Sequence, residues 1–281
     1  MRGADTAERT RGELIRLRLP ARAENVALAR HAIAGLAEAL GMDEPALSDL
    51  RTVVSEACTN VVLHAYGDGV GPMEVTAEAD DESLLVVVRD FGAGIKPRPA
   101  IGGPSLRLGM PLIAALSASF EIRGARGEGT EVRMRMDLAG RAEPAQDWEP
   151  GAAAGLPAQG ATLSVTDREL AAPVITRVIS MLAARANLSV DRLSDAILIG
   201  DAIAAEAPEE FAAGRLQVGV ADRAGEMTVE VGPLRAGAAR RVRERLELPV
   251  IGGSLEALVD GVAIEPGEAG SELLVLRIAQ R

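Results

Sequence analysis

Through residue 138 the chain switches between a period of two and a period near 3.6. Residues 14–19 read Leu-Ile-Arg-Leu-Arg-Leu, an edge-strand pattern ended by Pro20. Val26, Ala29, Ile33, Leu36, Ala37 and Leu40 recur at helical spacing and predict a helix over 23–40, stopped by Gly41. Asp43-Glu44-Pro45 is a helix-entry signal for a second helix over 46–66. Strands over 73–79 and 83–89 flank the turn Asp80-Asp81-Glu82, and 90–107 reads as a Gly/Pro loop. A short helix over 108–117 precedes a hairpin of strands 119–124 and 130–138.

Residues 139–161 are rich in Gly, Ala, Pro and Gln, lack periodicity and read as a linker. Trp148, the one tryptophan, lies there and reads as cover for a seam between domains. Beyond the linker the order of elements returns. A strand over 163–166, helices over 170–186 and 191–205, and strands over 215–221 and 227–232 are followed by a Gly/Pro loop. Helices around 242–246 and 255–259 and a strand over 272–278 complete the series. Asp201 follows Glu56 by 201 − 56 = 145 residues, and Ser271 follows Thr130 by 271 − 130 = 141. Offsets this similar predict an internal duplication.

The 281 residues, 48% hydrophobic and 25% charged, suit two folded domains of ordinary size. Aromatic residues are only 2%, so the core is expected to be aliphatic. A net charge of −11 argues against direct nucleic-acid binding. Cys58 is the single cysteine, which excludes an internal disulfide and a cysteine metal cluster. No apolar run is long enough to span a bilayer, and the charged N-terminus lacks a signal-peptide core, so the expectation is a soluble cytoplasmic protein.

Four segments carry candidate chemistry. In the second helix, Leu50, Val53, Val54, Ala57 and Val61 form a buried stripe, with Glu56 and Asn60 neighbours at its flank and His64 continuing their row. Alone, this reads first as an ordinary solvated helix face. The strand over 83–89 runs into Asp90-Phe91-Gly92-Ala93-Gly94, where the aspartate offers an acceptor for an exocyclic amino group and the glycines permit close approach of a flat ligand. Gly102-Gly103-Pro104-Ser105-Leu106-Arg107-Leu108-Gly109 is a Gly-rich loop opening a helix, whose free N–H groups suit phosphate. Gly127-Glu128-Gly129-Thr130 is a tight turn that serves as well for a plain hairpin.

In this order and spacing the four segments resemble the ATP-binding fold of gyrase B subunits, ninety-kilodalton heat-shock chaperones, mismatch-repair ATPases and histidine kinases. Within that superfamily, Val53-Val54-Ser55-Glu56-Ala57-Cys58-Thr59-Asn60 followed by His64-Ala65-Tyr66-Gly67, with a short lid, is most similar to the anti-sigma-factor serine kinases. The resemblance implies an α+β, two-layer α/β sandwich of Bergerat type over 11–138, with a degenerate copy over 162–281. It implies ATP and Mg²⁺ as cofactors, with Asn60 holding the metal, Glu56 orienting or deprotonating the attacking hydroxyl, and Asp90 reading adenine beside Gly92 and Gly94. Arg107, Leu108 and Gly109 would cap the phosphates, Thr130 would support the adenine contact, and Arg30 would touch a protein partner or be a plain surface arginine. In the second copy Asp201 stands for the glutamate, Ala205 replaces the asparagine, and Gly232-Pro233-Leu234-Arg235-Ala236-Gly237 lacks the adenine acceptor.

The implied function is a protein-serine kinase that binds a sigma factor or similar regulator. It would phosphorylate an antagonist carrying an anti-sigma-antagonist domain, with the second copy packed on the first as an internal pseudo-dimer. The alternative is a non-catalytic ATP-binding module that sequesters a regulator.

Overall fold

A computed structural model describes residues 11–94, 106–125, 127–138, 160–206, 208–212, 214–246 and 255–280. The first half runs β1 (Arg11–Pro20), α1 (Ala23–Ala39), α2 (Glu44–His64), β2 (Pro72–Ala79), β3 (Ser83–Asp90), α3 (Leu106–Leu116), β4 (Ser119–Gly124) and β5 (Thr130–Asp137). The second runs β6 (Ala161–Val165), α4 (Arg168–Arg185), α5 (Val190–Ala204), β7 (Leu216–Arg223), β8 (Glu226–Leu234), α6 (Ala238–Arg245), α7 (Leu255–Leu258), β9 (Gly261–Pro266) and β10 (Glu272–Ala279). The expected elements are all present, with α6 beginning earlier than its sequence pattern indicates. Strand β9 was not expected, although Val262 and Ile264 alternate within it. Residues 139–159, including Trp148, and the loop 95–105 lie outside the described residues.

Among the described residues ten strands form one antiparallel sheet in the order β4-β5-β3-β2-β1-β6-β7-β8-β10-β9. Strand β1, expected at an edge, is instead central because β6 pairs with its second side, and read outward from the β1–β6 pair the strands of the two halves are in the same order. A single row of paired residues crosses the sheet: Ile122, Val132, Val88, Val75, Leu17, Leu163, Val218, Val231, Leu274 and Ile264. Leu17 faces Leu163 at the centre, and outward from them the row matches Val75 to Val218, Val88 to Val231, Val132 to Leu274 and Ile122 to Ile264. Only the two end residues of the row are substantially exposed, Ile122 at 36% and Ile264 at 43%.

Helices α1 and α2 pack over the first half's strands, α4 and α5 over the second's, and α1 meets α4 at the seam. The opposite face carries charge, with Arg16 and Arg18 both paired to Glu74. The seam is sealed by Arg177 with Glu38, Arg215 with Glu13 and Arg185 with Asn25. Gly35 permits the helix contact, because a Cβ there would lie 3.0 Å from the Pro173 carbonyl oxygen.

The helix pairs fix the register between halves. Gly41 and Asn187 both take positive φ, 83° and 58°, at the ends of α1 and α4. Asp43 and Ser189 then cap α2 and α5 through Ala46 N at 2.9 Å and Arg192 N at 3.5 Å. The buried positions Leu50, Val53, Val54, Ala57 and Cys58 match Ala196, Ile199, Gly200, Ile203 and Ala204. This register is 189 − 43 = 146, and it corrects the sequence alignment by one residue. Asp201 corresponds to Ser55, Ala202 to Glu56 and Glu206 to Asn60. A shared contact agrees: Arg30 reaches Ser55 Oγ at 3.5 Å, and Thr176, its counterpart, donates to Asp201 at 2.7 Å.

Candidate functional site

Helix α2 holds Glu56 and Asn60 half-buried, at the edge of the stripe that faces the sheet. The Nδ2 of Asn60 is sealed from solvent and has no hydrogen-bond partner among the described residues. A buried amide end left unpaired is a group that a ligand would satisfy. A flip of the amide would turn its carbonyl oxygen, the donor a divalent cation takes, to that position. Cys58 on the same helix is fully buried, its thiol pushed up to about 12 by burial, so it takes no part.

Asp90 ends β3 at only 3% exposure. Burial raises its carboxyl above the usual range, against hydrogen bonds from Gly92 N and from the backbone and hydroxyl of Thr130. Ionising it therefore costs folding free energy once the pH rises through that raised value, and the cost is absent below the ordinary carboxylate range. Three donors leave acceptor capacity on a carboxylate that takes about four. The site is poised for one more donor.

The glycines do more than admit a ligand. A Cβ at Gly92 would lie 2.1 Å from the Ala65 carbonyl oxygen, one at Gly94 2.0 Å from that of Ala125, and one at Gly129 2.1 Å from that of Asp90. Gly94 and Gly129 also have φ of +68° and +81°. These residues let the end of α2, the Asp90 loop and the β4–β5 turn meet backbone to backbone. Ala93 N donates to Ala65 O at 3.1 Å and Gly127 N to Ala93 O at 3.0 Å. The loop is thus anchored on both sides.

Arg107, Leu108 and Gly109 fall in the first turn of α3, where backbone amides are free of helical partners. Only their backbone is described, and Gly102–Ser105 lies outside the described residues. Helix α3 packs on α2. Asp90, Gly92, Gly94 and Thr130 thus lie together against the C-terminal end of α2, the helix that carries Glu56 and Asn60. Arg30 stands on α1 beside Ser55, the residue before Glu56, and His64 is exposed in the last turn of α2.

Residues 19–136 match the histidine kinase-like ATPase domain. The chain is similar to the serine-protein kinase RsbW of Bacillus cereus (strain Q1), 38% identical over 82 residues, which are 29% of this chain and 51% of that protein. The RsbW of Bacillus mycoides (strain KBAB4) is also 38% identical, over 80 residues, 28% of this chain and 50% of that one. The chain spans about half the length of the curated relatives it matches. Among solved structures, the histidine kinase domain from Erythrobacter litoralis EL346 blue-light activated histidine kinase is 28% identical, covering 34% of this chain and 45% of that one, with a TM-score of 0.29. The ATPase-like half therefore resembles the anti-sigma-factor kinases, as its motifs indicate.

The second half fills the corresponding region with its own side chains. Pro233 stands at the Asp90 position and Glu206 at that of Asn60, where it is paired with Arg245. Glu210 binds Arg241 and Arg245, both at 2.8 Å, and the Arg241 hydrogen bond holds its carboxyl below the usual range. Glu272 accepts from Gly237 N and Ala239 N at 3.0 Å each, capping α6, and those amides lower its carboxyl. Arg235 N bonds Glu210 O at 2.8 Å, joining the second half's strand end to the segment after α5. The frame persists, and its polar groups are satisfied internally.

Sequence reasoning missed two contributions, the link from Thr130 to Asp90 and the hydroxyl of Tyr66. Tyr66 is the one tyrosine of the chain. That singularity, directly after the helix carrying Glu56 and Asn60, was the available signal.

Proposed function

We propose that the chain is an ATP-dependent protein-serine kinase that regulates a sigma factor or similar partner by phosphorylating an antagonist protein. The observation that carries this reading is the buried, unpaired amide of Asn60 on α2, together with the buried Asp90 carboxyl that ends β3 with acceptor capacity to spare. The similarity of residues 19–136 to a histidine kinase-like ATPase domain, and of part of the chain to serine-protein kinases, supports it.

The residues present fit a magnesium-bound adenine nucleotide: an orphaned amide, a buried carboxylate with spare acceptor capacity, and glycines at positions a Cβ would fill. Mg-ATP, when bound, supplies the phosphoryl group and the metal charge that neutralises it. Asp90 would hold the adenine amino group, Asn60 the metal, and the first-turn amides of α3 the phosphates. Glu56 would orient the attacking serine hydroxyl and accept its proton. Incubation with Mg-ATP and an antagonist protein should yield phosphoserine on the antagonist. Capture of a partner without any transfer would instead favour a non-catalytic nucleotide-binding module.

The β1–β6 pair and the α1–α4 contact occupy the strand edge and helix face through which a second copy of the first half would pair. We read the chain as two domains forming an internal pseudo-dimer with one nucleotide site. Its solution mass should be that of one chain. A stable dimer that survives removal of residues 160–281 would contradict this.

A further inference from the structure

We propose that the Tyr66 hydroxyl is a positioning group that fixes the Asp90 strand end against the helix bearing Glu56 and Asn60. This rests on the nucleotide-binding reading above and names a residue through which that site is set. Tyr66 follows Ala65, the cap residue of α2. Its ring lies flat against Gly71, where a Cβ would come within 2.2 Å of the ring. Its hydroxyl accepts from Phe91 N at 2.8 Å and donates to the carbonyl oxygen of Pro72, the first residue of β2. One oxygen therefore ties together the end of α2, the start of β2 and the residue directly after Asp90.

The consequence reaches Asp90 through its neighbours. The Phe91 amide held by Tyr66 is the next peptide after Asp90, and Asp90 Oδ1 in turn receives Gly92 N at 2.9 Å. With Ala93 N on Ala65 O, the loop has two hydrogen bonds to the end of α2, one to backbone and one to the tyrosine side chain. Burial pushes the phenol up to about 12, against the Phe91 hydrogen bond, so it keeps its proton and both bonds across the working pH range.

The second half contains its own comparison. In the segment after α5 stands Phe211, fully buried and bridged to Leu234, which the strand register matches to Phe91. A backbone bond from Arg235 N to Glu210 O and an aromatic ring join that strand end to the segment after α5, without a hydroxyl. The hydroxyl is present only in the half whose strand ends in aspartate.

The test is Tyr66→Phe in the full chain, with Mg-ATP binding by calorimetry, KM and kcat for phosphotransfer, and thermal unfolding. The affinity for Mg-ATP should fall about tenfold, as expected when a buried amide loses its partner. KM for ATP should rise in step, kcat should stay within about twofold, and the unfolding temperature should change by only a few degrees. Tyr66→Leu, which also removes the ring, should lower the unfolding temperature far more. Unchanged affinity in Tyr66→Phe, beside a wild type that binds, would overturn the positioning role alone. Equal losses in kcat and KM that track the unfolding temperature would reduce it to packing. A wild type that binds no nucleotide would overturn the underlying reading and this proposal with it.

Discussion

Glu56→Ala should lower phosphotransfer to an antagonist serine by about 10²- to 10⁴-fold, the range a positioned general base contributes. Affinity for Mg-ATP should remain within about threefold of wild type. Glu56 is half-buried at the edge of the core stripe of α2 and not part of it, and alanine is the best helix former. The helix, Asn60 and the Asp90 loop should therefore persist. Phosphoserine formation under single-turnover conditions reads the effect. A variant that transfers at the wild-type rate would remove Glu56 from the chemistry and leave only a binding cleft.

Gly129→Ala should unfold the first half far more readily, by about 3 kcal/mol or more. Two causes add. The residue sits at φ +81°, where an L side chain is strained by about 1–2 kcal/mol. A Cβ would also lie 2.1 Å from Asp90 O and 2.9 Å from the Phe91 Cα, both backbone atoms that cannot rotate away. Gly127 is the control, since its φ is +86° but nothing lies within 4 Å of its added Cβ. Gly127→Ala should show the strain alone. Denaturant unfolding of both variants separates the terms, and equal losses would mean that the close approach to Asp90 is not structural. Nucleotide affinity should fall in Gly129→Ala as well, because the displaced carbonyl belongs to the residue that would read adenine.

The periodic elements were legible in the sequence because each buries one face. The alternation in β1 and the stripe Leu50, Val53, Val54, Ala57, Val61 translate directly into residues below 5% exposure. Motif order placed Glu56 and Asn60 on α2 and Asp90 at the end of β3, where the structure has them. Strand β9 was not, because an edge strand with exposed Ala263, Ile264 and Glu265 has only a weak pattern. The one-residue alignment error arose because acidic identity was matched, Glu56 to Asp201, where burial and helix caps set the true register. The glycine roles were half seen. Sequence suggested room for a ligand, whereas Gly92 and Gly129 are needed first for backbone to meet backbone, a long-range fact that composition does not carry. Closure of the second half by Glu206, Glu210 and Glu272 was also invisible, since ordinary Glu and Arg residues acquire that meaning only when α6 is laid against them.

The most direct measurement is a calorimetric titration of the full chain with Mg-ATP, repeated with Asp90→Asn. The account requires one site per chain, filled in the wild type and lost or weakened at least a hundredfold when Asp90 can no longer accept from the adenine amino group as a carboxylate. Two sites per chain, or undiminished binding by the Asp90→Asn variant, would contradict it.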